Sequence, residues 1–115
     1  MGKQKSTSKK TYTVKLTSTA ITHLDEIINY IAFYKKEPLN AIKIGNSFFR
    51  KIETTGNNPF VFRECESLKT KEKLYREAAC HKWSIIYKIQ LNQILILAII
   101  HQSRNPSKLK KLIKT

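Results

Sequence analysis

Acidic residues are missing from the last third of this chain. All eight lie between Asp25 and Glu77, whereas residues 78–115 carry seven Lys/Arg. With 22 Lys/Arg in 115 residues the formal charge is +14. That surplus calls for an acidic partner, whether nucleic acid, an anionic membrane surface or an acidic protein, and makes the C-terminal third its expected face. Charge-driven solubility alone is the competing reading. Cysteine is nearly absent too: Cys65 and Cys80 make no disulfide framework and read as free thiols in a reducing cytoplasm. The longest apolar run, Ile94–Ile100, is far short of the roughly 20 residues of a membrane span. The basic N-terminus has no apolar core of a secretory signal. "MGKQKS" fits a myristoylation pattern, with Lys3, Lys5, Lys9 and Lys10 as a polybasic complement, but six residues in a basic tail carry little weight. A cytoplasmic protein is expected.

Chemistry-bearing motifs are equally scarce. No CxxC or HxxxH spacing gathers His23, His81, His101, Cys65 and Cys80 into a metal set. No GxGxxG or P-loop offers a phosphate cradle. Asp25 and Glu26 are adjacent on a helix and point apart, so they form no carboxylate pair. Neither a metal nor a cofactor is expected.

The periodicities that are present define one small domain, residues 11–115, behind a polar tail of residues 1–10. "TYTVKLT" alternates Tyr12, Val14 and Leu16 against Thr and Lys, the pattern of a strand with one buried face. Ser18 or Thr19 is the expected N-cap of a helix whose stripe runs Ala20, Ile21, Leu24, Ile27, Ile28, Ile31 and Ala32 to about Tyr34. Pro38 suits the first turn of a second helix with stripe Ala41, Ile44, Phe48 and Ile52, which Gly56 is expected to stop. Gly45 inside that helix predicts a close helix crossing. Asn57 to about Leu74 lacks a period and reads as a long loop anchored by Phe60 and Phe62. Strands are expected at Tyr75–Cys80, Trp83–Gln90 and Ile94–His101, the last two joined through "QLNQ", and a short basic helix at Ser107–Lys114.

The order β-α-α-β-β-β-α predicts an α+β fold: a helical hairpin on one face of a small, mostly antiparallel sheet. Because two helices cover only one face, Ile86 and part of the final strand are expected to line an open apolar and basic groove. "ILILAIIHQSRNP" ends a buried strand on His101 and Arg104, which brings both to that rim. Arg76, His81, Lys82, Lys88, His101 and Arg104 are the residue types a metal-free nuclease needs as base, acid and phosphate-holding cations. They are equally the types of solvated strand-end charges.

The order of elements, with "VKLTSTAITHLDEIINYIA", "YREAACHKWSIIYKI" and "ILILAIIHQSRNP", resembles the RelE/ParE superfamily of toxins from type II toxin–antitoxin pairs, over about Tyr12–Pro106. It resembles the ParE branch more closely. RelE-type ribosome-dependent ribonucleases place an arginine on the middle strand where this chain has Ser84, and serine cannot hold a phosphate as a fixed cation. The C-terminus also lacks the His/Tyr ending of several nuclease members. The resemblance implies a plasmid-stabilising toxin that inhibits DNA gyrase by binding it and is silenced by an acidic antitoxin, in a hetero-oligomer or with a homodimer. It implies Arg76, Lys82, Ile86, Lys88, His101, Arg104, Lys108, Lys110 and Lys111 as contacts for the target or the antitoxin. Two rivals stay open: a messenger-RNA endoribonuclease acting on the ribosome, with His81, His101 and Arg104 as catalytic candidates, and a non-toxic basic module for nucleic acid.

Overall fold

The computed structural model describes residues 12–103 and Lys111. Alternation in the first strand, β1 (Thr13–Leu16), buries Val14 and Leu16 in part and leaves Thr13 and Lys15 exposed. The next residue caps the first helix, α1 (Ser18–Asn29): Thr17 Oγ1 accepts from the Ala20 N–H at 3.1 Å and donates to the Leu97 carbonyl at 3.2 Å. The cap is thus Thr17, ahead of the expected Ser18 or Thr19, and its second bond ties the helix start to the sheet. After Asn29 the helix widens into a π-helical turn, Tyr30–Tyr34, closed by Lys35 N–H to the Tyr30 carbonyl at 2.9 Å. Such single-turn π segments re-aim the helix surface. Here Phe33 and Tyr34 are left about three-quarters exposed (74% and 76%).

The second helix, α2 (Pro38–Asn57), starts with Pro38 in its first turn, where the missing N–H is harmless. It buries Ala41, Ile44, Phe48 and Ile52, the expected stripe. A Cβ on Gly45 would meet Ile28 Cδ1 at 3.3 Å, so the two helices do cross closely there. Gly56 behaves differently from the expected stop signal. It lies inside α2 without a positive φ, and its carbonyl accepts the Tyr12 N–H at 3.1 Å. What the site demands is the absence of a side chain, since a Cβ would lie 2.6 Å from Val14 Cγ2 and 3.3 Å from the Tyr12 carbonyl oxygen. Gly56→Ala should therefore cost about 1–3 kcal/mol despite its better helix propensity. Urea denaturation checks this, and a stabilised variant would contradict it.

Residues 57–74 are less irregular than the sequence implies. They contain a two-residue strand, β2 (Arg63–Glu64), and a 3-10 turn, Glu66–Leu68. Beyond them lie β3 (Tyr75–Cys80), β4 (Trp83–Ile89) and β5 (Gln93–His101). The sheet order is β1-β5-β4-β3-β2, with β1 parallel to β5 and the other pairs antiparallel. The β4–β5 link closes as expected, with Gln90 N–H on the Gln93 carbonyl at 2.8 Å. A bulge at Leu97, opposite the Ile86/Tyr87 step, shifts the β5 register. Past the end of β1, α1 takes over pairing with the freed β5 edge: the Ile99 N–H donates to His23 Nδ1 at 3.1 Å. His23, which no metal-ligand spacing claimed, therefore ties the helix to the sheet.

The main core lies between the helices and the sheet, with Phe48, Ile85, Tyr87, Ile94 and Ile96 fully enclosed. Tyr87 donates its hydroxyl to the Pro59 carbonyl at 2.7 Å, which anchors the long loop from beneath. Burial pushes this phenol well above its usual 10, and the nearby Arg76 charge offsets only part of that. A pKa raised by folding means stability that is complete below pH 10 and is lost as pH climbs past it. Tyr87→Phe should lose about 1–2 kcal/mol at neutral pH, through the unpaired Pro59 carbonyl. It should also lose stability less steeply than the parent above pH 10. Thermal melts at neutral and alkaline pH read both effects, and parallel pH curves for the two proteins would contradict the assignment.

Candidate functional site

The strand faces fall as the alternation predicts, with Trp83, Ile85, Tyr87 and Ile89 toward the helices and Ser84 and Ile86 on the opposite side. The expected open groove around Ile86 is not there. Ile86 is 1% exposed, in a second small core with Cys65, Ala98 and Ile100, packed by Leu68, Tyr75 and Leu97. The 3-10 turn carries Leu68 back over the sheet, which a sequence period could not reveal. Ile86 thus supports the covering segment and offers no contact surface to a partner.

Ser84 is also enclosed, at 3% exposure, and its hydroxyl donates to Glu77 Oε2 at 3.1 Å. The same oxygen pairs with Arg63 at 3.3 Å. Burial, together with the Glu77 charge, raises the Cys65 thiol above its ordinary pKa. The position that resembles a nuclease arginine is therefore a covered hydroxyl beside a carboxylate. It carries no positive charge of its own, and its proton is committed to that carboxylate.

The remaining candidates separate into two groups at opposite ends of β3 and β4. At one end, Arg76 donates to the Lys73 and Phe62 carbonyls at 3.0 and 2.9 Å and stacks 5.0 Å from the Phe60 ring centroid. Those contacts clamp the 57–74 loop. Lys88 lies 5.4 Å over the Tyr75 ring. At the other end, His81, Lys82 and His101 share a cleft of about 700 Å3 with Trp83, facing Glu26, Tyr30, Lys35 and Glu37 of the helical hairpin. His81, in the two-residue link of the β3–β4 hairpin, has φ 56°.

His101 accepts at Nδ1 from the Ser103 N–H at 3.2 Å and lies 2.8 Å from the Ser103 hydroxyl. Its ring meets Trp83 edge-on at 6.1 Å. The next residue staples the strand end, with Gln102 N–H on the Lys82 carbonyl and its amide on the Trp83 carbonyl. The strand that ends abruptly at His101 is thus fastened to the adjacent hairpin tip. Because acids line the cleft with the bases, it forms no purely cationic cradle. Lys111 is helical and exposed. Arg104, Lys108 and Lys110 lie outside the described residues.

The large exposed apolar side chains lie elsewhere, mostly on the helical hairpin. Leu39 is 81% exposed, Ile42 60% and Phe49 56%, in helical register along the outer side of α2. Tyr30 and Tyr34 stack at 5.0 Å at its tip. Leu39, Ile42 and Phe49 fall off the core stripe of α2, and Tyr34, the expected end of the first stripe, is turned outward by the π-helical turn, so periodicity alone does not mark this surface. The available signal was the surplus of large apolar residues that neither stripe could bury. Among the described residues no group of His, Cys, Asp and Glu could hold a metal ion, and no helix is long and apolar enough to cross a membrane.

Comparison with known proteins supplies the family. No curated protein sequence matches. Among solved structures, the chromosomal ParDE toxin–antitoxin system of P. aeruginosa superposes with a TM-score of 0.63 at 20% identity, over 79% of this chain and 96% of that one. The RelBE2 toxin–antitoxin complex of Mycobacterium tuberculosis does so with 0.55 at 19% identity, over 83% and 95%. These likenesses bear out the α+β architecture. The model of the ParE toxin of the type II parDE toxin–antitoxin system matches residues 14–106. The chain belongs to the ParE toxin family and is the toxin of a type II toxin–antitoxin pair.

Proposed function

We propose that this toxin acts by binding DNA gyrase and does not cleave messenger RNA. The observation that carries the reading is Ser84, 3% exposed and bonded to the Glu77 carboxylate. A metal-independent ribonuclease must stabilise charge building on a phosphate, and losing one such group typically costs about a hundredfold or more in rate. Lys88 is four residues along the strand, roughly 13 Å away, and its ammonium lies over Tyr75. His81 and His101 share a cleft with Glu26 and Glu37, away from Ser84. In a translating extract, primer extension on messenger RNA should find no cuts added by the purified chain. Cuts spaced by codons would make it a ribonuclease and restore His81, His101 and Arg104 as catalytic candidates.

The antitoxin, on this reading, is an acidic protein that covers the outer side of the helical hairpin. Both structural neighbours are named for toxin–antitoxin pairs. The exposed Leu39, Ile42 and Phe49 supply the apolar contact, and a chain charge of +14 speeds capture of an acidic partner.

A further inference from the structure

A second pocket, which shares only His81 with the cleft of His101, has a different chemistry. Ser47, Arg50, Lys51 and Thr54 recur at helical spacing on α2 and line a pocket of about 380 Å3 with Ala79, Cys80 and His81. The pocket exists because β2 is so short. Its two residues pair with Glu77 and Arg76, so β3 beyond Glu77 has no neighbouring strand on that side among the described residues. The Cys65 N–H bonds the Tyr75 carbonyl, while the Ile89 N–H bonds the Leu74 carbonyl. Alternation of antiparallel pairing then turns the Ala79 N–H outward, toward the open edge.

Donors therefore converge from three sides. The helix brings the Arg50 guanidinium and the Lys51 ammonium, which also lies 5.6 Å from the Phe62 ring centroid; the Ser47 and Thr54 hydroxyls spend their protons on the Lys43 and Arg50 carbonyls. The strand edge brings the Ala79 amide, and the hairpin tip brings the His81 imidazole. No carboxylate is among the lining residues, unlike the cleft with Glu26 and Glu37. The positive charge reaches the floor of the pocket: burial raises the Cys80 thiol, and Lys51 and Arg50 pull it partly back. A planar carboxylate presents its oxygens in one plane, whereas a phosphate presents them tetrahedrally and can meet donors on three sides at once. The Arg50 fork also suits two phosphate oxygens better than a lysine would.

We propose that this pocket binds a phosphate group, and the charge of +14 favours the backbone of a nucleic acid as its source. The site rests on this geometry alone and stands whether or not gyrase is the target. The test uses the full chain and follows amide and arginine side-chain resonances at constant ionic strength. Inorganic phosphate, pyrophosphate and a short single-stranded oligonucleotide are the probes. Saturable shifts are expected at Ala79, Cys80 and the Arg50 Nε–H. Affinity should fall about tenfold in Arg50→Gln, the loss of one charge-assisted contact, and fall again in Lys51→Gln. Lys15→Gln, on the opposite sheet edge, should leave it unchanged. Saturation by the oligonucleotide alone assigns the site to a nucleic-acid backbone, and equal saturation by inorganic phosphate assigns it to the free anion; both uphold phosphate binding. Shifts spread evenly over the lysines and indifferent to Arg50→Gln would overturn it. So would a glutamate-rich peptide that saturates the pocket when phosphate does not.

Discussion

Ile42→Glu combined with Phe49→Glu is expected to weaken antitoxin binding by about a thousandfold while the melting temperature of the free toxin stays put. Both side chains are more than half exposed on α2, seven residues apart and so on one side of the helix. Exposed positions of this kind change stability by no more than about 0.5 kcal/mol. Buried in a complex they become anchors, and truncating or charging an anchor typically costs about 2 kcal/mol or more each. Two such losses, if independent, correspond to roughly a thousandfold in dissociation constant. The substitutions also place negative charge where an acidic partner approaches, which slows association. Titration calorimetry against the antitoxin measures the loss. Unchanged affinity with an unchanged melt would remove this surface from the interface.

Ser84→Arg is expected to destabilise the fold by about 2–3 kcal/mol and to create no ribonuclease. Sequence comparison alone would suggest the opposite, because it restores the residue type the nuclease branch uses. Ser84 is covered, however, and its neighbour Ile86 is sealed beneath Leu68 and Cys65. A guanidinium there must displace the 3-10 turn, and overpacking a filled site costs about 1–3 kcal/mol. Attraction to Glu77 offsets part of the desolvation without removing it. Hydrogen exchange should therefore quicken at Cys65 and Leu68 before the rest of the sheet. An unchanged melt with protected amides in that segment would mean the site is open and able to take a catalytic arginine.

The sequence made the element order legible because the two helical stripes and the β3–β5 alternation are strong local signals. Gly45 correctly marked the helix crossing. What stayed hidden depends on contacts distant in sequence. A two-residue strand has no period, so β2 was invisible, and with it the open β3 edge beside Arg50. Ile86 alternates as a residue on an uncovered face should, yet Leu68 returns over it from eighteen residues upstream. Gly56 reads as a helix stop but is a packing requirement set by Val14. The candidate site was half legible: His81, Lys82 and His101 do meet at one cleft. Arg76 looked like a free cation because nothing local announces that Phe62 and Lys73 carbonyls claim its donors.

The most direct test of the central claim is a supercoiling assay with purified gyrase, relaxed plasmid and the purified toxin. Supercoiling should fall with increasing toxin, approaching completion once toxin exceeds gyrase, and should recover when the antitoxin is mixed with the toxin beforehand. Full supercoiling at a large excess of toxin that still arrests growth would contradict the gyrase reading.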